Sequence, residues 1–251
     1  MSMNYIEANN IVLDIPVVDA ARSIRTSLIN QFAGGIIKNN KSGVSVRALD
    51  DVSLSLGKGD RVALIGHNGS GKTTLLRTLA GIYKPTTGAV TSHGRIISIF
   101  DPSVGLNVER TGRANIKTIA YFLGMSPSAL AEHIDGIIDF CELGEFIDLP
   151  VRIYSAGMTV RLGFAVATAL NPDILLLDEG IGAGDAKFAE RARERLENFY
   201  SGIKCMVLAS HSEDLLRSLC NKALLLEHGK AVMFGGVDEV LQRYHESNSQ
   251  Q

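Results

Sequence analysis

No apolar stretch in this 251-residue chain approaches the roughly 18 residues that a membrane-spanning helix requires. The protein is therefore not expected to form a pore, and any membrane role must pass through a partner. Cysteine is scarce: Cys141, Cys205 and Cys220 lie far apart and are odd in number. They fit neither a disulfide framework nor a metal site, and they suit a reducing compartment. Excess charge is also missing. A formal net charge of −2 gives no sign of a general polyanion binder, so nucleic acid is not an expected partner, although it leaves room for a local basic patch. Glutamine is absent between Gln31 and Gln242. The opening MSMNYIEANN lacks the basic-then-apolar order of a secretory leader, and none is expected.

What is present reads as an ordinary globular protein, with 45% hydrophobic and 21% charged residues, in one large domain or a domain with a subdomain. A short strand is expected over residues 5–15. An amphipathic stretch follows (Ile24, Leu28, Phe32), then GGIIKNNKSG as a loop. ALDDVSLSL alternates as a half-buried strand, and RVALIG is a short apolar one. A helix is expected over Lys72 to Leu79, ended by Gly81 and Pro85. From Asn115 to Phe146 the spacing is mostly helical, with Ser126 as an N-cap before Pro127. A further helix covers Gly157 to Leu170. Next come a buried strand ILLLD, a charged helix from Ala186 to Phe199, an apolar strand CMVLAS and a hairpin around His228 and Gly229. The end of the chain reads as a frayed tail. Strands alternating with helices indicate an α/β fold with a largely parallel sheet.

The first chemical motif is Gly66, His67, Asn68, Gly69, Ser70, Gly71, Lys72 and Thr73, followed by Thr74. It matches the phosphate-binding P-loop and lies where that loop belongs, after a strand and before a helix. Its glycines let backbone N–H groups turn toward phosphate oxygens at a helix N-terminus. Lys72 would reach the β- and γ-phosphates of ATP, and Thr73 would ligate Mg²⁺. The second motif is the buried strand ending in Asp178 and Glu179. An apolar strand ending in two carboxylates more often just meets solvent, but about a hundred residues after a P-loop the pairing gains meaning. Asp178 would hold Mg²⁺, and Glu179 would orient and polarise the attacking water.

A third motif narrows the class. Tyr154, Ser155, Ala156, Gly157 and Met158, just before a helix, resemble the signature loop of ABC ATPases, with Ser155 and Gly157 keeping its usual residues. Ala183-Gly184-Asp185 occupies the place of the D-loop, and His211, in Ala-Ser-His-Ser, that of the switch histidine. The resemblance to ABC transporter nucleotide-binding domains runs from residue 46 to about 235. It implies a P-loop NTPase core with an antiparallel β part near the N-terminus and a helical subdomain, the ABC ATPase fold. The expected division is an N-terminal extension over 1–45, an ATPase domain over 46–240 with a helical subdomain at about 111–160, and the tail 241–251. The family also implies a homodimer. Each ATP would lie between Lys72, Thr73, Asp178, Glu179 and His211 of one subunit and the signature loop of the other, with Asp185 crossing the interface. Residues from about Thr111 to Tyr154 would meet a membrane-spanning permease at the cytoplasmic face of the bacterial inner membrane.

The stretches TGRANI, LPVRIYSAGMTVRLGFAVATAL, LLLDEGIGAGDAKF and ASHSEDLLRSLCNKALLLEHGK resemble the branch that exports polysaccharides: O-antigen, teichoic acid and capsule. IVLDIPVVDAARSIRTSL is similar to O-antigen and galactan exporters. This implies a lipid-linked polysaccharide as the transported substrate, most closely an O-antigen of galactan type. The chain stops soon after GGVDEVLQRY, so the sugar-binding C-terminal domain of some O-antigen ATPases is not expected, and export coupled to synthesis is. Three positions depart from the family pattern. Ile15-Pro16-Val17-Val18 offers no aromatic to stack on adenine, leaving Val18 for apolar contact. The Q-loop glutamine is missing, which leaves Asp101 as its substitute. Ala156 and Met158 replace Gly and Gln in the signature loop. Two readings compete: a soluble ABC ATPase without a transport role, and a binding-only subunit with a dead site. A P-loop kinase or GTPase would make the signature loop and His211 coincidences.

Overall fold

The computed structural model describes residues 4–17, 36–40, 43–100, 105–179 and 186–248. In chain order the strands are β1 (Asn4–Val17), β2 (Ile36–Asn40), β3 (Gly43–Gly57), β4 (Arg61–Ile65), β5 (Thr87–Ser92), β6 (Ile96–Ile99), β7 (Ile174–Asp178), β8 (Cys205–Ala209), β9 (Lys222–Glu227) and β10 (Lys230–Gly236). The helices are α1 (Lys72–Leu79), α2 (Gly112–Phe122), α3 (Pro127–Cys141), α4 (Ala156–Ala167), α5 (Ala186–Gly202), α6 (Glu213–Leu219) and α7 (Val237–Asn248). Among the described residues no helix is long and apolar enough to cross a membrane. The chain divides into two compact units. One comprises Met1–Gly94, Leu176–Glu179 and Lys204–Gln251, and the other Arg95–Leu175 and Gly180–Ile203.

The first unit contains an antiparallel sheet in the order β2-β3-β1-β5. Ile6, Ile11, Leu13, Leu49, Val52, Leu54 and Leu56 of β1 and β3 are buried. Because β1 pairs with β3 along its length, residues on both sides of position 45 share one sheet, so the N-terminal strand is not a separate extension. The GGIIKNNKSG loop expectation also needs correction. Ile36–Asn40 is a strand, paired antiparallel with β3 from Ile36↔Arg47 to Asn40↔Gly43. Pairing with a long neighbour supplied order that this short polar segment does not signal locally.

Through this unit the larger sheet runs in the order β10-β9-β4-β8-β7. β4 is parallel to both β8 and β9, while β10 returns antiparallel. Buried parallel strands read as unbroken apolar runs, and ILLLD, CMVLA and KALLLE do so. Leu64, Leu176, Leu208 and Leu225 are at most 1% exposed, each contributing roughly 1.5–3 kcal/mol by leaving water. The frayed-tail expectation fails over 241–248, where the chain continues as α7. Val237, Val240 and Leu241 are buried, with half-buried Tyr244 completing an i, i+3, i+4, i+7 face on β9 and β10. Asp238 and Glu239 sit favourably in its first turn.

The second unit carries α2 to α5. Serine or threonine hydroxyls cap three of these helices: Thr111 accepts from the Ala114 N–H, Ser126 from Ala129 and Ser155 from Met158. Phe140, Phe164 and Phe188 form a ring cluster with centroids 5.1–5.9 Å apart, and the Arg195 guanidinium lies 4.2 Å above Phe140. Burial pushes the thiols of Cys141, Cys205 and Cys220 up to about 12. They pack as small apolar groups without thiolate chemistry.

Candidate nucleotide-binding site

The order β4-β8-β7 places three strand ends side by side in the first unit, where parallel strands present ligand-binding loops. β4 leads into the Gly66–Thr74 loop, β7 delivers Asp178 and Glu179, and β8 delivers Ser210 and His211. The loop curls through Gly66, whose φ of 151° lies where side chains rarely go. A Cβ there would stand 2.3 Å from the Leu226 carbonyl oxygen and 2.5 Å from Ser70 Oγ. Only glycine fits this turn. Ser70 Oγ is buried beside Gly66 without a hydrogen-bond partner among the described residues.

Helix α1 begins at Gly71 with no side-chain cap and no acidic residue in its first turn. Its first N–H groups therefore keep their capacity for an anion, unlike those of the hydroxyl-capped α2, α3 and α4. Lys72 Nζ donates to the carbonyls of Gly66 at 2.7 Å and His67 at 3.1 Å, so the ammonium is folded over the loop. Burial pulls its pKa below the usual lysine value, while the charges of Asp178 and Glu179 offset part of that pull. The loop is braced by the β9–β10 hairpin. The Gly229 N–H donates to the Ser70 carbonyl, and the Gly229 carbonyl accepts from the Asp50 N–H, both at 2.9 Å. The His67 ring packs on His228 with centroids 4.9 Å apart.

Glu179 stands just past β7 with φ 72°, a backbone region that a non-glycine residue adopts at a cost of about 1–3 kcal/mol and that clusters at functional sites. Its N–H donates to the Ala209 carbonyl at 2.8 Å. Its side chain accepts a hydrogen bond from Ser210 Oγ at 3.2 Å. His211 Nε2 is 3.8 Å from Glu179 Oε1, and the two side chains are 65% and 58% exposed. A carboxylate and an imidazole thus share an open rim beside a cation and a phosphate-type loop. Sequence reasoning assigned Lys72, Asp178, Glu179 and His211 but passed over Ser210, whose only signal was its place before His211 at a strand end.

The signature-type loop belongs to the second unit. Tyr154 donates its hydroxyl proton to the Phe146 carbonyl at 2.6 Å, and a Cβ on Gly112 would fall 2.3 Å from the Tyr154 hydroxyl oxygen. Tyr154 is therefore a brace for the loop. Ser155 is exposed, and its hydroxyl accepts from the Met158 N–H at 3.2 Å as the cap of α4. Ala156, Gly157 and Met158 form the first turn of that helix. Val18, Asp101, Asp185 and the stretch Ile24 to Phe32 lie outside the described residues.

Residues 49–182 match the ABC transporter family model. The O-antigen export system ATP-binding protein RfbE of Yersinia enterocolitica is 44% identical over 222 residues, covering 88% of this chain and 93% of that one. The teichoic acids export ATP-binding protein TagH of Staphylococcus epidermidis is 38% identical over 215 residues, covering 86% and 81%. Among solved structures, a dimeric ATP-binding cassette in a post-hydrolysis state with ADP and Pi aligns at TM-score 0.64 and 21% identity, covering 92% of this chain and 98% of that one. At that identity it supports the fold alone. With the phosphate loop, the paired carboxylates and the strand-end histidine in one unit, and relatives alike over most of both chains, this protein belongs to the ABC transporter family, among the ATP-binding subunits of polysaccharide exporters.

Proposed function

We propose that two copies of this chain bind and hydrolyse ATP to drive export of a lipid-linked polysaccharide, an O-antigen of galactan type, through a membrane-spanning permease at the cytoplasmic face of the inner membrane. The observation that carries the ATPase reading is the meeting of Lys72, Asp178, Glu179 and His211 around an uncapped helix N-terminus. The polymer class rests on the likeness to O-antigen export proteins. A teichoic acid is the second reading, favoured by the similarity to TagH.

The residues suit a magnesium nucleotide. The curl at Gly66 gives the loop a shape suited to phosphate, and the Thr73 hydroxyl and the Asp178 carboxylate are hard oxygen donors of the kind Mg²⁺ takes. Mg²⁺ held there would neutralise charge on the phosphates. Lys72 would leave the two loop carbonyls for the β- and γ-phosphates. Glu179 would orient and polarise the attacking water, and His211 would sense the γ-phosphate. Ser155 and Gly157 would bind ATP of the opposite subunit, Asp185 would cross the interface, and Asp101 would stand in for the Q-loop glutamine. Closure on two ATP molecules and reopening after phosphate loss would form a ligand-driven two-state switch.

Exposed apolar side chains in the helical unit support a permease contact. Tyr121, Phe122, Phe146, Leu149 and Ile153 are 41–66% exposed, apolar side chains that a membrane partner would cover. The test is ATP hydrolysis by the purified chain, alone and with the membrane protein encoded beside its gene. Turnover should rise with that partner, and cells without this chain should retain lipid-linked polymer on the inner face. Turnover indifferent to the partner would favour a soluble ATPase. The retained polymer itself separates O-antigen from teichoic acid.

Lys72→Ala should weaken ATP binding about ten- to hundredfold, the worth of a charged hydrogen-bond donor, as read by fluorescent-nucleotide titration. Wild-type affinity would remove Lys72 from the phosphate cradle.

A further inference from the structure

Ser210 follows β8, is 8% exposed and makes two directed hydrogen bonds. Its Oγ accepts the Ser212 N–H at 3.2 Å and donates to Glu179 Oε2 at 3.2 Å. A hydroxyl has one proton, and here it goes to the carboxylate. Other serines of the chain use that proton differently: Ser201 and Ser218 donate to the backbone carbonyls of Asn198 and Leu215. Filling hydrogen-bond capacity alone therefore does not require a carboxylate partner.

The consequence for Glu179 is a division of labour between its oxygens. Oε2 is held by Ser210, whereas Oε1 faces the exposed rim, 3.8 Å from His211 Nε2. The Glu179 backbone is clamped at the same strand end, through the bond from its N–H to the Ala209 carbonyl. The terminal torsion of a glutamate is broad and roughly two-fold, so a backbone clamp alone leaves the carboxylate plane free to turn. A second clamp on one oxygen stops it.

We propose that Ser210 is a positioning residue for ATP hydrolysis, fixing the Glu179 carboxylate so that Oε1 is presented to the attacking water. Ser212 sets the direction of the Ser210 hydroxyl and caps α6, accepting from the Leu215 N–H. The water-polarising carboxylate is thus tied to the start of the helix that follows His211. The inference rests on the role of Glu179 given above.

The test uses the full chain with its membrane partner and compares Ser210→Ala, Ser210→Thr and Glu179→Gln. Ser210→Ala should lower kcat about ten- to hundredfold, the range for a hydrogen bond to a charged group, with KM for ATP and nucleotide affinity within about twofold of wild type. Ser210→Thr, which keeps the hydroxyl, should recover most of the loss. Adding Ser210→Ala to Glu179→Gln should cost nothing further, because no carboxylate remains to be positioned. Wild-type kcat in Ser210→Ala beside an inactive Glu179→Gln would overturn the positioning role and leave Glu179 in place. An active Glu179→Gln would overturn the underlying reading instead. Should Ser210→Ala melt early, Ser210→Cys keeps the volume without a strong donor. A wild-type kcat in that variant would overturn the proposal, and a lowered kcat would support it.

Discussion

Glu179→Gln is expected to keep ATP bound while turnover falls by about 10²–10⁴-fold, the usual contribution of a positioned general base. The reason is geometric as well as electrostatic. The amide has nearly the shape of the carboxylate, and its oxygen can still accept from Ser210 Oγ, now 3.2 Å from Oε2. Its NH₂ would then replace Oε1 on the rim side, where it offers a donor to a water that needs an acceptor. The backbone at φ 72° and its bond to Ala209 involve no side-chain atoms and should be untouched. ATP should therefore accumulate unhydrolysed, holding two subunits together. Single-turnover hydrolysis with light scattering in ATP and in ADP reads both effects. Unchanged turnover would take the base role away from Glu179.

Gly66→Ala should be nearly as damaging by a different route. Its added methyl would meet the Leu226 carbonyl at 2.3 Å, an oxygen fixed within β9, so relief requires the phosphate loop to move. The positive φ alone costs about 1–3 kcal/mol. In a chain of this length each kcal/mol lowers the melting temperature by roughly 2–4 °C. The loop N–H groups would also lose their common focus, and nucleotide affinity should fall by at least about tenfold, comparable to losing a charged hydrogen bond. Calorimetry and nucleotide titration on the same preparation give the two numbers. A variant that binds ATP normally would show that the curl at Gly66 is not required for the cradle.

Much of the central site was legible because its signals are local and dense. The glycines around Lys72 mark a turn, and the helix that follows runs from Lys72 to Leu79 as its spacing predicts. The unbroken apolar run of β7 marks a buried strand ending at Asp178. His228 and Gly229 mark a hairpin. The elements not foreseen lack such signals or hide them. β5, TGAVTS, is largely exposed and is ordered by pairing with β1. β2 is short and polar. α6 does announce itself, with Ser212 as cap and Glu213 and Asp214 in its first turn, but at 7 residues it is too short for a periodic pattern to emerge. Ser210 and the bracing role of Tyr154 were invisible for a different reason: both roles are set by atoms 31 and 8 residues away. Spacing arguments describe faces of elements, not the partners of single hydroxyls.

The brace on the phosphate loop has a bearing on how the protein is made. The whole phosphate-binding motif has been synthesised once residue 74 leaves the ribosome, yet the bond that holds its Ser70 carbonyl comes from Gly229, and the oxygen that packs against Gly66 comes from Leu226. A nascent chain must add residues 75 to 229 before those parts meet. Competence to hold nucleotide therefore waits for the hairpin to be made, and a truncated product ending before it would carry the motif without the means to keep its shape.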